Sequence, residues 1–450
     1  MNSKKILLIA FFYPPSRSSG VYRALAMGNH LADQGHDVTV LTTTRSFFEL
    51  ESGPPDESLV ARIDPRITII RVPFSTRPVH RSLDLMSRGM ARFGPILERL
   101  VPRSFRSKLS AFALRSGGSF FPAGLVDRYR TWYGPSMEAV TESMDVTELD
   151  AVIATGNPWT SFAIARTISQ LSGAPYVMDY RDPWKIDVRT GKPTLRSAET
   201  EQFELEMLEG AAFITHPNQH LADEYARLFP SIANRLRVME NGFDPETLPE
   251  IDTLRPIRTE ESSELVYGTL GTVSDMWPLA EFGEAWRTYV TDHPGHRFDL
   301  AGHLGWFDSG RAGLATKLDD IGDGASYVGP RARADVPDFY ASLDVVVMFF
   351  WGDKGLTAGK MYEVGAIGLP ILCIQPEGGG VRTFLERDHP RAVCVAPDPA
   401  QILEGLWRVE ALSREMTTDE RAQIRTELSR TNRTSLLAPI DELAGMAGDR

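Results

Sequence analysis

Lys360 and Glu363 stand one helical turn apart at the end of a glycine-rich stretch, Gly355-Leu356-Thr357-Ala358-Gly359, which follows a strand-like run closing near Phe350. Residues three apart share a helix face, so an ammonium and a carboxylate would emerge together where the chain leaves the strand. A carboxylate there can take both hydroxyls of a ribose. Gly359 at the helix start, with Lys354 or Lys360, can meet a diphosphate through backbone N–H groups and positive charge. The same spacing also describes an ordinary solvated ion pair. The glycines and the strand-to-helix position favour the ligand role.

A second group follows the run Tyr176-Val177-Met178: Asp179-Tyr180-Arg181-Asp182-Pro183-Trp184. Carboxylates and guanidinium groups hydrogen-bond sugar hydroxyls, and an indole can cover the apolar face of a sugar ring. Asp179, Arg181, Asp182 and Trp184 are therefore expected to contact an acceptor; the competing reading is a structural Arg–Asp ion pair. Asn157, in Ala154-Thr155-Gly156-Asn157-Pro158, lies in another strand-to-helix loop and joins the acceptor set, although helix capping by Thr160 and Ser161 would also explain that loop. Gly20, Gly271, Thr272 and Arg331 occupy further loops of this kind and are expected on the nucleotide side, as are Lys354, Gly359, Lys360 and Glu363. Asp182 and Lys360 are the charged groups expected at the reacting centre. No histidine shows metal-ligand spacing and no Asp-x-Asp element follows a strand, so neither a metal nor another cofactor is expected.

The elements that would position these groups alternate. Ile6 to Ala10, a helical stretch from Val21 to Gln34, and Val38 to Leu41 make a βαβ unit. Further strands are predicted at 67–72, 151–154, 176–178 and 211–215. A second series is predicted at 265–270, 297–301, 325–328, 344–350, 370–374 and 392–395. Continuous apolar runs of this kind belong to strands covered on both faces. The expected class is α/β, with two Rossmann-like doubly wound domains facing across a cleft. The first is expected to span 1–245 and the second 264–425, with a C-terminal helix over 426–450 crossing back to the first. Ligands of such sheets bind at the strands' carboxyl ends, where every group named above lies.

The chain has 450 residues and a net charge of −12, which argues against nucleic-acid binding. No run reaches the ~20 apolar residues of a membrane span. Its two cysteines, Cys373 and Cys394, sit in strand-like runs and read as buried thiols of a reducing compartment. From Arg77 to Arg130 the chain is rich in arginine. Leu83, Met86, Met90, Phe93, Leu97 and Leu100 recur at helical spacing, with Arg81, Arg88, Arg92 and Arg99 opposite. Such a helix can lie on an anionic membrane, pack on its domain with solvated arginines, or face a phosphate-bearing acceptor.

Taken together, Tyr13-Pro14-Pro15 to Gly20 and Arg23, Gln34-Gly35-His36-Asp37 to Thr42, Gly156-Asn157-Pro158, Asp179 to Trp184, Glu240-Asn241-Gly242-Phe243-Asp244 and Lys360-x-x-Glu363 to Pro370 resemble the retaining glycosyltransferases of the GT-B fold, specifically glycosyltransferase family 4. The resemblance spans nearly the whole chain. It implies metal-independent transfer from a nucleotide sugar, a UDP-sugar by family habit, to an acceptor that the sequence leaves unnamed. The two thiols and the basic stretch together fit a cytoplasmic location, peripheral on the inner face of the membrane. It also implies that Glu363 binds ribose and that Gly20 lines the phosphate side. The chain departs from the pattern at Gly355, where a donor-sugar glutamate is usual, and at Phe162, which replaces a histidine. The loop Gly271-Thr272-Val273-Ser274-Asp275 lacks the usual Arg and Lys, so Lys354, Lys360, Arg331 or Arg333 would supply that charge. The alternatives are an epimerase of the same fold or a non-catalytic partner protein.

Overall fold

The computed structural model describes residues 3–44, 55–74, 121–187, 190–260, 264–305, 311–351 and 358–446. The chain forms two compact units, residues 1–186, 193–240 and 437–450 in one, and residues 187–192 and 241–436 in the other. The main crossing therefore falls between Glu240 and Asn241, and the chain returns after Leu436.

Unit 1 is built on a parallel sheet in the order β3-β2-β1-β4-β5-β8-β9. Its strands are β1 (Lys5–Ala10), β2 (Asp37–Thr43), β3 (Thr68–Val72), β4 (Ala151–Gly156), β5 (Tyr176–Tyr180), β8 (Phe213–His216) and β9 (Leu236–Val238). Alternate residues feed opposite faces. Leu7, Ile9, Val152 and Met178 join one core, while Ile6, Leu8, Ile153 and Val177 join the other. This two-sided burial explains the unbroken apolar runs, and each fully buried aliphatic side chain contributes roughly 1.5–3 kcal/mol. The last helix, Ala438–Met446, adds Ile440 and Leu443 to the second of these cores.

Unit 2 repeats the plan in the order β12-β11-β10-β13-β14-β15. Its strands are β10 (Val266–Leu270), β11 (Arg297–Ala301), β12 (Ala325–Gly329), β13 (Val345–Phe349), β14 (Ile371–Ile374) and β15 (Ala392–Val395). A short two-stranded ribbon, β6 (Ile186–Asp187) with β7 (Lys192–Pro193), completes the set. In each main sheet the strand order reverses beside the first strand, between β1 and β4 and between β10 and β13. Loops diverge at such switch points and leave a crevice beyond the carboxyl ends. Among the described residues, no helix is long and apolar enough to cross a membrane. Lys354, Gly355 and the amphipathic stretch from Arg81 to Leu100 lie outside the described residues.

Candidate functional site

In unit 1 the groups gather at the ends of β1, β4 and β5. The loop after β1 ends at Gly20, which is buried and opens the helix Val21–Asp33 without a side-chain cap. A Cβ at Gly20 would lie 1.3 Å from Arg181 Nη1, so only glycine lets that guanidinium rest against the helix start. Arg181 Nη2 donates to the Asn157 carbonyl at 3.4 Å. Its Nε and Nη2 donate to Asp182 Oδ2 at 3.3 and 3.2 Å. The guanidinium also stands 5.8 Å from the centre of the Phe12 ring. Gly20, Asn157, Arg181 and Asp182 thus converge. With 53% of its side chain exposed, Asp182 offers a carboxylate to solvent, whereas Arg181 is mostly covered. The combination suits a hydroxyl-bearing ligand with an anion beside it.

Two residues expected in this set are placed otherwise. Asp179 is fully buried. Its carboxylate accepts from Arg23 Nε and Nη2 and from Thr215 Oγ1, the last at 2.6 Å. Burial alone would raise its pKa; the Arg23 charge and these hydrogen bonds outweigh it and hold the carboxyl below its ordinary range. Asp179 is therefore a structural anchor that ties β5 to the Val21–Asp33 helix. Trp184 is also buried: its ring stacks on Trp159 at 5.4 Å and 14°, and the Arg196 guanidinium lies 5.1 Å from its centre. The partly exposed aromatic here is Trp159. Its place directly after Asn157-Pro158 is the signal that could have found it.

In unit 2 the loops after β10 and β11 meet backbone to backbone. Gly271 N–H donates to the Ala301 carbonyl at 3.0 Å. A Cβ at Gly302 would fall 1.6 Å from the Gly271 oxygen, and Gly302 has φ +140°. Around Gly271 itself a Cβ would meet nothing within 4 Å, so space stays open beside Gly271 and the half-buried Thr272.

The helix Gly359–Ile367 carries the pair expected from the sequence. Lys360 Nζ donates to Glu363 Oε1 at 2.7 Å, and the Tyr340 hydroxyl donates to the same oxygen at 2.7 Å. Lys360 Nζ also donates to the Tyr340 oxygen at 3.0 Å. Burial pushes the Glu363 pKa up, but the Lys360 charge and both hydrogen bonds bring it below the ordinary glutamate value. A Cβ on Gly359 would lie 3.4 Å from the Gly242 carbonyl oxygen. Gly242 has φ +60°, and a Cβ there would meet Arg433 Cα at 2.7 Å. The Asn241-Gly242 turn is thus fixed by packing as well as by backbone conformation. Arg333 Nη2 donates to Asp244 Oδ2 at 2.6 Å and Glu246 Oε1 at 3.2 Å, while Arg331 is exposed. Of the described cations expected on the nucleotide side, Lys360 and Arg333 are paired with carboxylates and Arg331 is exposed, while the helix start itself has no side-chain cap.

His293, His296 and Glu410 form a cluster that sequence spacing missed, since Glu410 arrives from a distant helix. It precedes β11 and so lies at the strands' amino ends. Glu410 already accepts from Tyr289 at 2.5 Å and Arg414 Nη2 at 2.8 Å. Burial would raise its pKa; hydrogen bonds from His296, Tyr289 and Arg414 bring it down to about 2. The Leu265 N–H points at His296 Nδ1 at 3.5 Å, and His296 Nε2 stands 3.5 Å from Glu410 Oε1. The cluster is tied into a largely buried polar network through Tyr289 and Arg414.

Comparison with known proteins gives the same architecture. Residues 20–242 match the model of the Glycosyl transferase 4-like domain. A glycosyltransferase from Rickettsia africae superposes with a TM-score of 0.64 at 11% identity, covering 100% of both chains. Sucrose-phosphate synthase from Thermosynechococcus elongatus gives 0.61 at 14%, covering 98% of each. HepE of Anabaena, solved with UDP and glucose, gives 0.59 at 13%, covering 98% of this chain and 99% of its own. At these identities the likeness establishes the fold, the GT-B pairing of two Rossmann-like domains. No curated protein sequence matches the chain.

Proposed function

From a glycosyl transferase 4-like domain on a GT-B fold, we propose that this chain moves a sugar from a nucleotide-sugar donor to an acceptor hydroxyl, with retention at the anomeric carbon and without a required metal. The observation that carries the reading is the Glu363 carboxylate, held by Lys360 at the start of a helix leaving the central strand β13. A carboxylate in that place suits a ribose, and the uncapped helix start beside it suits a diphosphate. UDP is the favoured nucleotide, because HepE, of the same fold, was solved with UDP.

In this reading unit 2 takes the donor. Lys360, Lys354, Arg331 and Arg333, with Gly359, Gly271 and Thr272, surround its diphosphate, and negative charge growing there is countered by these groups. Unit 1 takes the acceptor through Asn157, Arg181 and Asp182, with Trp159 in the aromatic role and Gly20 on the phosphate side. The bond between the anomeric carbon and the diphosphate oxygen breaks, the acceptor oxygen forms the new bond, and its proton passes to the departing phosphate. Asp182 orients the acceptor hydroxyl, so positioning supplies most of the rate. The arginine-rich segment 77–130 brings the enzyme to an anionic membrane face; sedimentation with anionic vesicles tests that part separately.

The decisive experiment is calorimetric titration with UDP, ADP, GDP and their sugars, followed by nucleotide release with trial acceptors, with and without EDTA. Binding of a uridine nucleotide that Glu363→Ala weakens at least about tenfold is expected. Unchanged affinity in that variant removes Glu363 from the site. Product formed steadily without any acceptor would favour an epimerase.

A further inference from the structure

The two hydrogen bonds to the Glu363 carboxylate are one-sided. Tyr340 Oη and Lys360 Nζ both donate to Oε1, each at 2.7 Å, and among the described residues no hydrogen bond reaches Oε2. Glu363 is nevertheless mostly covered, with 15% of its side chain exposed. A lysine three residues away on the same helix is a poor means of fixing a carboxylate plane, because its four-carbon stem lets the ammonium follow either oxygen. Tyr340 differs. It is fully buried on the short helix Val336–Ala341, and its ring is rigid. Its hydroxyl accepts from Lys360 at 3.0 Å and donates its own hydrogen to Oε1, so it joins the two charged groups in a fixed order. Burial and the neighbouring carboxylate push its pKa far up, which keeps that proton in place.

We infer that Tyr340 is a positioning residue for the nucleotide: by fixing Oε1 it turns Oε2 outward to receive a vicinal diol, and so makes the site selective for ribose over deoxyribose. This rests on the nucleotide-sugar reading above and adds to it a source of sugar selectivity in a residue outside the helix that carries Glu363. The reasoning is geometric. Two adjacent hydroxyls need a carboxylate whose plane is already set; one that can rotate loses that alignment. Sequence gives no hint of it, since the contact joins residues 23 positions apart on different helices.

The test measures affinity for UDP and 2′-deoxy-UDP in the full chain, the Tyr340→Phe variant and the Glu363→Asp variant, with melting curves for each. The wild type is expected to favour UDP by about tenfold, the scale of one hydrogen bond to a charged group. Tyr340→Phe should lose about tenfold on UDP and little on 2′-deoxy-UDP, bringing the ratio to within about twofold. A merely structural role would lower both affinities together. Should Tyr340→Phe melt too low to titrate, Glu363→Asp reads the same geometry. Its carboxylate, one methylene shorter, cannot span Tyr340 and the ligand, and its ratio should collapse likewise. A wild-type ratio retained in the folded variants overturns the role of Tyr340 while leaving nucleotide binding intact. Absence of UDP binding in the wild type would instead overturn the nucleotide-sugar reading, and this inference with it.

Discussion

Arg23 grips Asp179 from two nitrogens, with Nε to Oδ2 at 2.9 Å and Nη2 to Oδ1 at 2.6 Å, and both side chains are buried. The pair joins the first helix to β5, while Arg23 Nη1 donates to the Glu240 carbonyl, the last residue before the chain leaves unit 1. Removing one member strands the other charge in a dry interior. Asp179→Ala should therefore cost about 3–5 kcal/mol in urea unfolding. Asp182→Ala, at an exposed pair, should cost less than about 1 kcal/mol yet lower kcat/KM for the acceptor. Equal stability losses at the two positions would contradict these roles.

Gly20 and Arg181 should behave as one unit. A methyl at Gly20 must displace the guanidinium, and the end of a flexible side chain can yield. Gly20→Ala should leave the melting midpoint nearly unchanged and reduce turnover by about tenfold to a hundredfold through misplaced Arg181. In an Arg181→Ala background the same change should add less than about twofold. Full additivity of the two substitutions would separate them.

Gly242→Ala should destabilise unit 2. Its φ of +60° disfavours any Cβ, and that Cβ would meet Arg433 Cα at 2.7 Å and Arg433 N at 2.9 Å. The obstacle is backbone, which cannot swing aside, so a loss of about 1–3 kcal/mol in denaturant unfolding is expected. A stability change within about 0.5 kcal/mol would mean that the turn relaxes.

The strand runs were legible because both sheet faces are buried, which leaves continuous apolar residues such as Val345 to Phe349. β9 was not legible: Leu236-Arg237-Val238 is short, half-exposed and carries an arginine at its centre. The site was readable to the level of the loop, since Gly20, Arg181 and Glu363 all follow strand ends. Which side a residue faces was harder. In β5, Asp179 falls on the same face as Val177, where the Val21–Asp33 helix packs, whereas Arg181 lies beyond the strand end. The run Asp179 to Trp184 reads as one polar group in sequence and divides in space. Trp184 was misread for a related reason, because only tertiary packing shows Trp159 lying over it.

Acid should unfold the protein from the neutral side, through two histidines. His216 is buried, with neither ring nitrogen hydrogen-bonded among the described residues, and its ring centre lies 4.3 Å from that of Tyr225 and 5.1 Å from that of Tyr180. Burial lowers its pKa to about 3, against a partial upward pull from Asp179. His389, similarly buried, falls to about 4. Both folded values lie below the unfolded value of about 6.5, so the unfolded chain takes up the protons first. Stability from these groups is therefore full above pH ~6.5 and declines as pH falls, by about 1.4 kcal/mol per pH unit for each histidine. The His389 contribution stops changing near its folded pKa of about 4, and that of His216 near about 3. His216→Phe keeps an aromatic ring against Tyr225 and removes one titration. Urea unfolding at pH 7.5, 6.5, 5.5 and 4.5 should show the variant losing stability at a slope shallower by about 1.4 kcal/mol per pH unit below pH ~6. Parallel slopes for variant and wild type would mean that His216 does not titrate on unfolding.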